Sequence, residues 1–465
     1  MSRVRQLQVW TLASLVAIVL VGCGGSHSST TGARAPASRT VAAASGAGGS
    51  AASPVSRGAQ WPTYHRDPAR TGADPVGPGL GRVRRLWTAG VDGAIYAEPL
   101  VADGSVIVAT ENDSLYAFNA TSGRLRWRKH LGTPVPGGDL PCGDIDPSGI
   151  TGTPVVDSSA GVVYAVTFQR FAHRLVALEL ANGRVRWQRQ LDPPGADPRT
   201  HQQRAALALS RGRVYVAYGG LFGDCGDYHG WVLGAPASGP HGRVLFYKVP
   251  TAREGAIWAP SGPAVDGAGS LYVATGNGSS TTSFDFGDAV IRLTPTLRET
   301  GFFAPANAPQ LSAADLDLGS TGPVLLPGSR AFIIGKTGVG YLLSTKRLGG
   351  IGHPLASRSI CDAAFGGDAY ANGTIFIPCT SGVAAVRVDG DRLQPLWSQA
   401  ATTSSPILAG PGLWAIGGGT LFQLDARNGH VRYSASIGDP AHFATPAASG
   451  GRIFVAAGGR VYAFG

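Results

Sequence analysis

Charged residues are scarce in this chain, 15% of its 465 residues. Beyond the first two dozen positions no stretch shows helical apolar periodicity, so helical bundles and strand–helix–strand units are excluded. Long apolar runs are also missing. The single such run, residues 12–21, is short for a membrane span. There is no Cys-x-x-Cys-His, which excludes a covalently attached c-type haem. Neither a Ser-His-Asp arrangement nor a phosphate-cradling Gly loop occurs in a convincing context. The Gly-rich segments read as β-turns, so their spacing says nothing about nucleotides.

What the chain has in plenty is glycine, 68 residues. The glycines punctuate a pattern that recurs eight times. The clearest copy is Glu98-Pro99-Leu100-Val101, a Gly turn, Val106-Ile107-Val108-Ala109, a polar turn, and Leu115-Tyr116-Ala117-Phe118. After Thr121-Ser122-Gly123 comes Arg124-Leu125-Arg126-Trp127. These are four short strands separated by turns. A repeat of roughly 40–60 residues built this way is the mark of a propeller blade.

The copies begin at Pro99, Pro154, Ala206, Pro263, Pro323, Gly367, Pro406 and Pro446. The fourth strand often carries an aromatic: Trp127, Trp187, Tyr247, Phe303, Trp397 or Tyr433. The last copy lacks its fourth strand. Residues 83–87, ahead of the first copy, are expected to supply it and so remove the free sheet edge. The expected fold is all-β: an eight-bladed propeller of four-stranded antiparallel blades, closed by an N-terminal strand. It is expected to occupy residues 59–465.

Residues 1–23 read as a secretory signal with a basic start at Arg3 and Arg5. Leu20-Val21-Gly22-Cys23 resembles a bacterial lipobox, whose Cys is lipidated and becomes the mature N-terminus. A plain signal peptide or a membrane anchor is the alternative. Residues 24–58 are Gly, Ser, Ala and Thr with few large apolar side chains, and read as a disordered tether. The expectation is an exported propeller anchored by lipid to the extracytoplasmic or periplasmic face of a membrane.

Four further cysteines remain: Cys142, Cys225, Cys361 and Cys379. In an oxidising compartment an even number suggests disulfides, with free thiols as the alternative. Cys361 precedes the first strand of copy six and Cys379 ends its second strand. These strands are antiparallel neighbours, so the two are paired. Elimination then pairs Cys142 with Cys225. The net charge of +10 is carried mostly by scattered Arg residues. It reads as a solvated rim, and nucleic acid is not expected as a partner.

In a four-stranded blade, the loop after the second strand and the loop before the next first strand emerge on one face, near the axis. At these places stand Asp224, Asp227 and His229 in copy three and Thr275-Gly276-Asn277 in copy four. Copy five contributes Gly335-Lys336. The entry loops bring Cys142-Gly143-Asp144, Trp258 and Asp315-Leu316-Asp317. Carboxylates and an amide carbonyl suit calcium, a lysine can neutralise an acidic ligand, and an indole offers a stacking surface. Each also has a plain reading. Asn277 can make a turn, Trp258 can pack between blades, Asp317 can cap a turn, and Lys336 can be solvated.

The repeats resemble those of pyrroloquinoline quinone (PQQ) proteins over most of residues 81–465. The stretch from Trp258 to Asn277 is similar to the segment of PQQ-dependent alcohol dehydrogenases in which a Trp stacks on the quinone and an Asn ligates calcium. The resemblance implies Asp317 as the catalytic aspartate. It makes Trp258, Asn277 and Lys336 cofactor-binding, and Asp224, Asn277 and Asp317 metal ligands. Calcium would then polarise a quinone carbonyl. The chain departs from that family: it is shorter than most of those enzymes, and no haem motif supplies an electron exit within it. Cys142 stands where those enzymes have an adjacent Cys pair, Asp224 stands for a Glu, and Ser148 stands for an Arg. The repeat also resembles the lipidated outer-membrane assembly propeller of Gram-negative bacteria, which binds partners and has no quinone. Two expectations follow. One is a PQQ- and calcium-dependent alcohol or sugar dehydrogenase. The other is a non-catalytic propeller that binds cell-envelope proteins or polysaccharide. Trp61-Pro62-Thr63-Tyr64-His65-Arg66-Asp67, ahead of the blades, reads as a plug or clasp.

Overall fold

The computed structural model describes residues 60–465. The signal, Cys23 and the 24–58 tether lie outside the described residues. Among those described, no helix is long and apolar enough to cross a membrane.

The expected strands form because apolar residues fill both faces near the axis and alternate near the rim. In the first blade the second strand, Ser105–Thr110, is buried throughout, since each blade is packed between two others. In the second blade the outer strand, Val185–Gln190, alternates half-buried and exposed side chains. Eight antiparallel sheets result. Their innermost strands are Leu100–Ala102, Val155–Asp157, Ala208–Ser210, Ala264–Val265, Val324–Leu326, Ala369–Ala371, Ile407–Ala409 and Ala447–Ser449. Each falls just after the residue that marked its copy.

The ring closes as expected, with a shift in extent. The closing strand is Arg85–Gly90 and pairs with Arg460–Phe464, with Trp87 opposite Ala463. It runs past residue 87 because Thr88 and Ala89 continue the pairing with Tyr462 and Val461. The expectation of no helix after the leader needs correction. Ala308–Ala313 forms a six-residue helix with proline at its start, where a missing N–H costs nothing.

Outer-strand tryptophans lock some of the blades to the next. The Trp87 ring lies over Gly123, and its Nε1 donates to Ala120 O at 3.2 Å. Trp127 repeats the contact over Gly183, donating to Leu180 O at 2.9 Å. A Cβ on Gly183 would lie 2.5 Å from the Trp127 ring, so that turn admits only glycine.

The segment 61–74 is a plug. Its carbonyls accept N–H bonds from the innermost strands or their first residues at Val101, Val156, Val265, Leu325, Tyr370 and Leu408. Arg70 Nη2 reaches Leu207 O, and Tyr64 Oη reaches Thr445 Oγ1. One short segment thus touches all eight blades. Trp61, Tyr64, His65 and Arg70 are almost wholly buried.

Candidate functional site

The blade geometry brings the expected residues together. Asp224, Trp258, Asn277, Asp317 and Lys336 all line one cavity of about 450 Å³, together with Asp144, Arg204, Tyr228, Phe365 and Phe443. That size suits a small organic ligand. Each residue arrives on one of the two loop types that face the axis on this side.

An acid–cation centre forms its core. Lys336 Nζ lies 2.6 Å from Asp317 Oδ2 and 2.6 Å from Asp315 Oδ1. Asn277 N donates to Asp317 Oδ1 at 2.7 Å, and Asn277 Nδ2 donates to Asp315 Oδ1 at 2.9 Å. The close approach requires Gly276. A Cβ there would sit 2.5 Å from Asp317 Oδ1 and 3.0 Å from Trp258 Nε1. Burial raises the Asp317 pKa above the ordinary carboxylate value, while Lys336 and the Asn277 N–H pull it back. Burial opposes the Lys336 charge, but Asp317 and Asp315 more than offset it, so its pKa is raised.

Asp288 fixes the backbone beneath this centre. Its Oδ1 accepts Leu318 N at 2.8 Å and its Oδ2 accepts Ser312 Oγ at 2.8 Å. Burial pushes its pKa up to about 7.

Aromatic rings wall the cavity. Trp258 lies 6.4 Å from Phe365 and 6.2 Å from Phe443 between ring centroids. Phe365 and Phe443 stack at 6.1 Å. Phe443 holds φ at 63°, a strained conformation for a bulky residue, and such strain gathers at sites that need fixed side chains. The sequence reading missed both phenylalanines, although they stand in the entry loops of blades six and eight. The loop rule that found Trp258 would have found them had it been applied to apolar residues. Asp288 carried no such signal, because it stands just ahead of a third strand, Val290–Leu293, at the far end of the loop from Asn277.

Asp224 sits at φ 53°, and its Oδ1 accepts the Tyr228 hydroxyl. Asp227 and His229 lie on the same loop, 3.6 Å apart, and are not among the cavity-lining residues. Both disulfides form with the expected partners, Cys142–Cys225 and Cys361–Cys379. The first ties the entry loop of blade two to the Asp224 loop at the cavity.

The donors fit a planar quinone. Indole and phenyl rings offer stacking surfaces, and an ammonium stands beside a buried carboxylate. For calcium the arrangement offers less. Asp317 is committed to Lys336 and the Asn277 N–H, and Asp224 accepts from Tyr228. Among the described residues no three acidic, His or Cys side chains group closely enough to hold a metal. Asn277 Oδ1 is buried without a partner and is an amide oxygen of this cavity that could meet a hard cation.

Residues 83–220 match the family described as outer membrane protein assembly factor BamB. A polyvinylalcohol dehydrogenase of a Pseudomonas species is 24% identical over 254 residues. That stretch is 50% of this chain and 36% of the relative, so the chain spans about a third of that protein's length. The quinohemoprotein alcohol dehydrogenase of Comamonas testosteroni superposes with TM-score 0.68 at 15% identity, over 88% of this chain and 81% of that one. BamB of Moraxella catarrhalis superposes with TM-score 0.57 at 15% identity, over 82% and 97%. The repeats are of the PQQ type, and the fold is the eight-bladed propeller that these proteins share.

Proposed function

We propose that the cavity binds a planar quinone of the PQQ class and that the chain is a quinoprotein-type dehydrogenase of hydroxyl compounds. The observation that carries this reading is Asp317, a buried carboxylate held between Lys336 and Asn277 in an aromatic-walled cavity. The likeness to a polyvinylalcohol dehydrogenase points to alcohols as the substrate class.

A bound quinone of this class supplies a two-electron acceptor. Asp317 accepts the alcohol's hydroxyl proton on a carboxylate oxygen, and its raised pKa makes it a stronger base than an ordinary carboxylate. Lys336 keeps that carboxylate oriented and presents an N–H to an oxygen of the ligand. Trp258 provides the stacking face, and the Phe365–Phe443 wall excludes water. The test is reduction of an artificial electron acceptor by purified protein supplied with PQQ and a series of alcohols. Activity should fall by about 10²–10⁴-fold in Asp317→Asn. No alcohol-dependent reduction by the wild-type protein would overturn the dehydrogenase reading.

The match to the assembly-factor family over residues 83–220 favours a second reading, a non-catalytic propeller for envelope partners. Under it, partner capture would be unaffected by Asp317→Asn. Both readings place the chain outside the cytoplasm on a lipid at Cys23, and Cys23→Ser should release it from membranes on fractionation.

A further inference from the structure

Arg204 is a cation in this cavity with no hydrogen-bond or ion-pair partner among the described residues. It stands on the entry loop of blade three, just after the His201–Gln202 strand, and lines the cavity. Its guanidinium carbon lies 4.7 Å from the Phe443 ring centroid and 5.7 Å from that of Tyr96. Two aromatic faces therefore hold it in place. Among the described residues its guanidinium donates no hydrogen bond and enters no ion pair. The neighbouring cations already have protein partners. Lys336 pairs with Asp315 and Asp317, and Arg253 donates to Asp224 O and Gly226 O.

A guanidinium carries five donors in a rigid fork and stays charged even when burial disfavours it. Burial lowers the Arg204 pKa, and Asp144, Tyr96 and Glu111 oppose that shift from a distance. Arg204 is half-buried and its side chain lines the open cavity, so a ligand anion there would gain charge-assisted hydrogen bonds from a guanidinium that no acceptor among the described residues holds. Ser148, where the resemblance expects an arginine, is buried and its backbone pairs with Val135. It offers no charge to a ligand, whereas Arg204 offers one from the next blade's loop.

We propose that Arg204 is the carboxylate receptor of this cavity, taking a carboxylate borne on a planar aromatic ligand that Trp258 and Phe443 face. This deepens the quinone reading by naming the ligand group that the chain selects, and it rests on the cavity being a ligand site. A planar acid gains a forked pair of N–H bonds, while its ester retains the stacking and forfeits the charge.

The probes are PQQ, benzene-1,2,4-tricarboxylate and its trimethyl ester, titrated into the wild-type protein, Arg204→Gln and Arg204→Lys. Tryptophan fluorescence and calorimetry give the affinity, and thermal melting confirms that each variant is folded. The tricarboxylate should bind the wild-type protein at least tenfold more tightly than its ester does. It should lose at least tenfold in Arg204→Gln and less in Arg204→Lys, which keeps the charge but not the fork. Should Arg204→Gln fail to fold, the acid–ester comparison in the wild-type protein and the Arg204→Lys affinity still decide. PQQ binding of equal strength in the wild-type protein and folded Arg204→Gln would overturn this assignment and leave the quinone reading standing. Arg204-dependent binding of the tricarboxylate without PQQ binding would support the assignment and overturn the quinone reading. Acid and ester binding alike, or neither binding, would overturn the assignment.

Discussion

On the proposed reading, Lys336 sets the pH range in which Asp317 can act as a base. It lies 2.6 Å from Asp317 Oδ2 and opposes the rise in pKa that burial imposes. Lys336→Met removes that opposition, so the Asp317 pKa climbs further. A base works deprotonated, so the acidic limb of the pH profile for kcat/KM should move to higher pH in this variant. An unmoved limb with lowered activity would mean that Lys336 acts on the ligand alone. Asp224, Trp258, Asn277, Asp317 and Lys336 were legible in the sequence because two loop positions per blade decide what faces the axis. Arg204, Phe365 and Phe443 obey the same rule but pack as a cluster across blades three, six and eight. That neighbourhood is a property of the closed ring and leaves no trace in local spacing. Asp288 was invisible for another reason. It acts through Leu318 N and Ser312 Oγ, contacts that depend on the helix Ala308–Ala313, which lacks a readable periodicity.

The plug of residues 61–74 ties all eight blades together. Its sequence, Trp-Pro-Thr-Tyr-His-Arg-Asp, marked it as a plug or clasp, but not as a path that meets every blade. Arg70 is its anchor. Nε donates to Pro263 O at 3.1 Å, Nη1 to Thr63 Oγ1 at 2.7 Å and Tyr64 O at 3.0 Å, and Nη2 to Leu207 O at 3.1 Å. Arg70→Ala strands these acceptors in a dry site. It should cost about 3 kcal/mol or more, read as the shift of the denaturant unfolding midpoint. A loss below about 1 kcal/mol would show that water replaces the guanidinium freely. The closing strand was legible in position but not in extent. The missing fourth strand of the last copy pointed to residues 83–87, while the pairing with residues 460–464 starts at Arg85 and runs on to Gly90.

For the whole molecule, repetition made the fold readable. Each copy repeats one turn-punctuated pattern, so errors at a single strand do not alter the blade count. Function follows a different logic, because a propeller ring accommodates many chemistries and only the loops at one end choose among them. On the proposed reading, the centre of Asp317, Lys336 and Asn277 beneath aromatic walls makes those loops a ligand site rather than a bland rim. The most direct measurement is equilibrium titration of the propeller, from about residue 59 onward, with PQQ in the presence and absence of calcium, followed by tryptophan fluorescence. Saturable quenching in the wild-type protein, largely lost in Trp258→Phe, is the expected result. No saturable change at high micromolar PQQ, with or without calcium, would contradict a quinone site in this cavity.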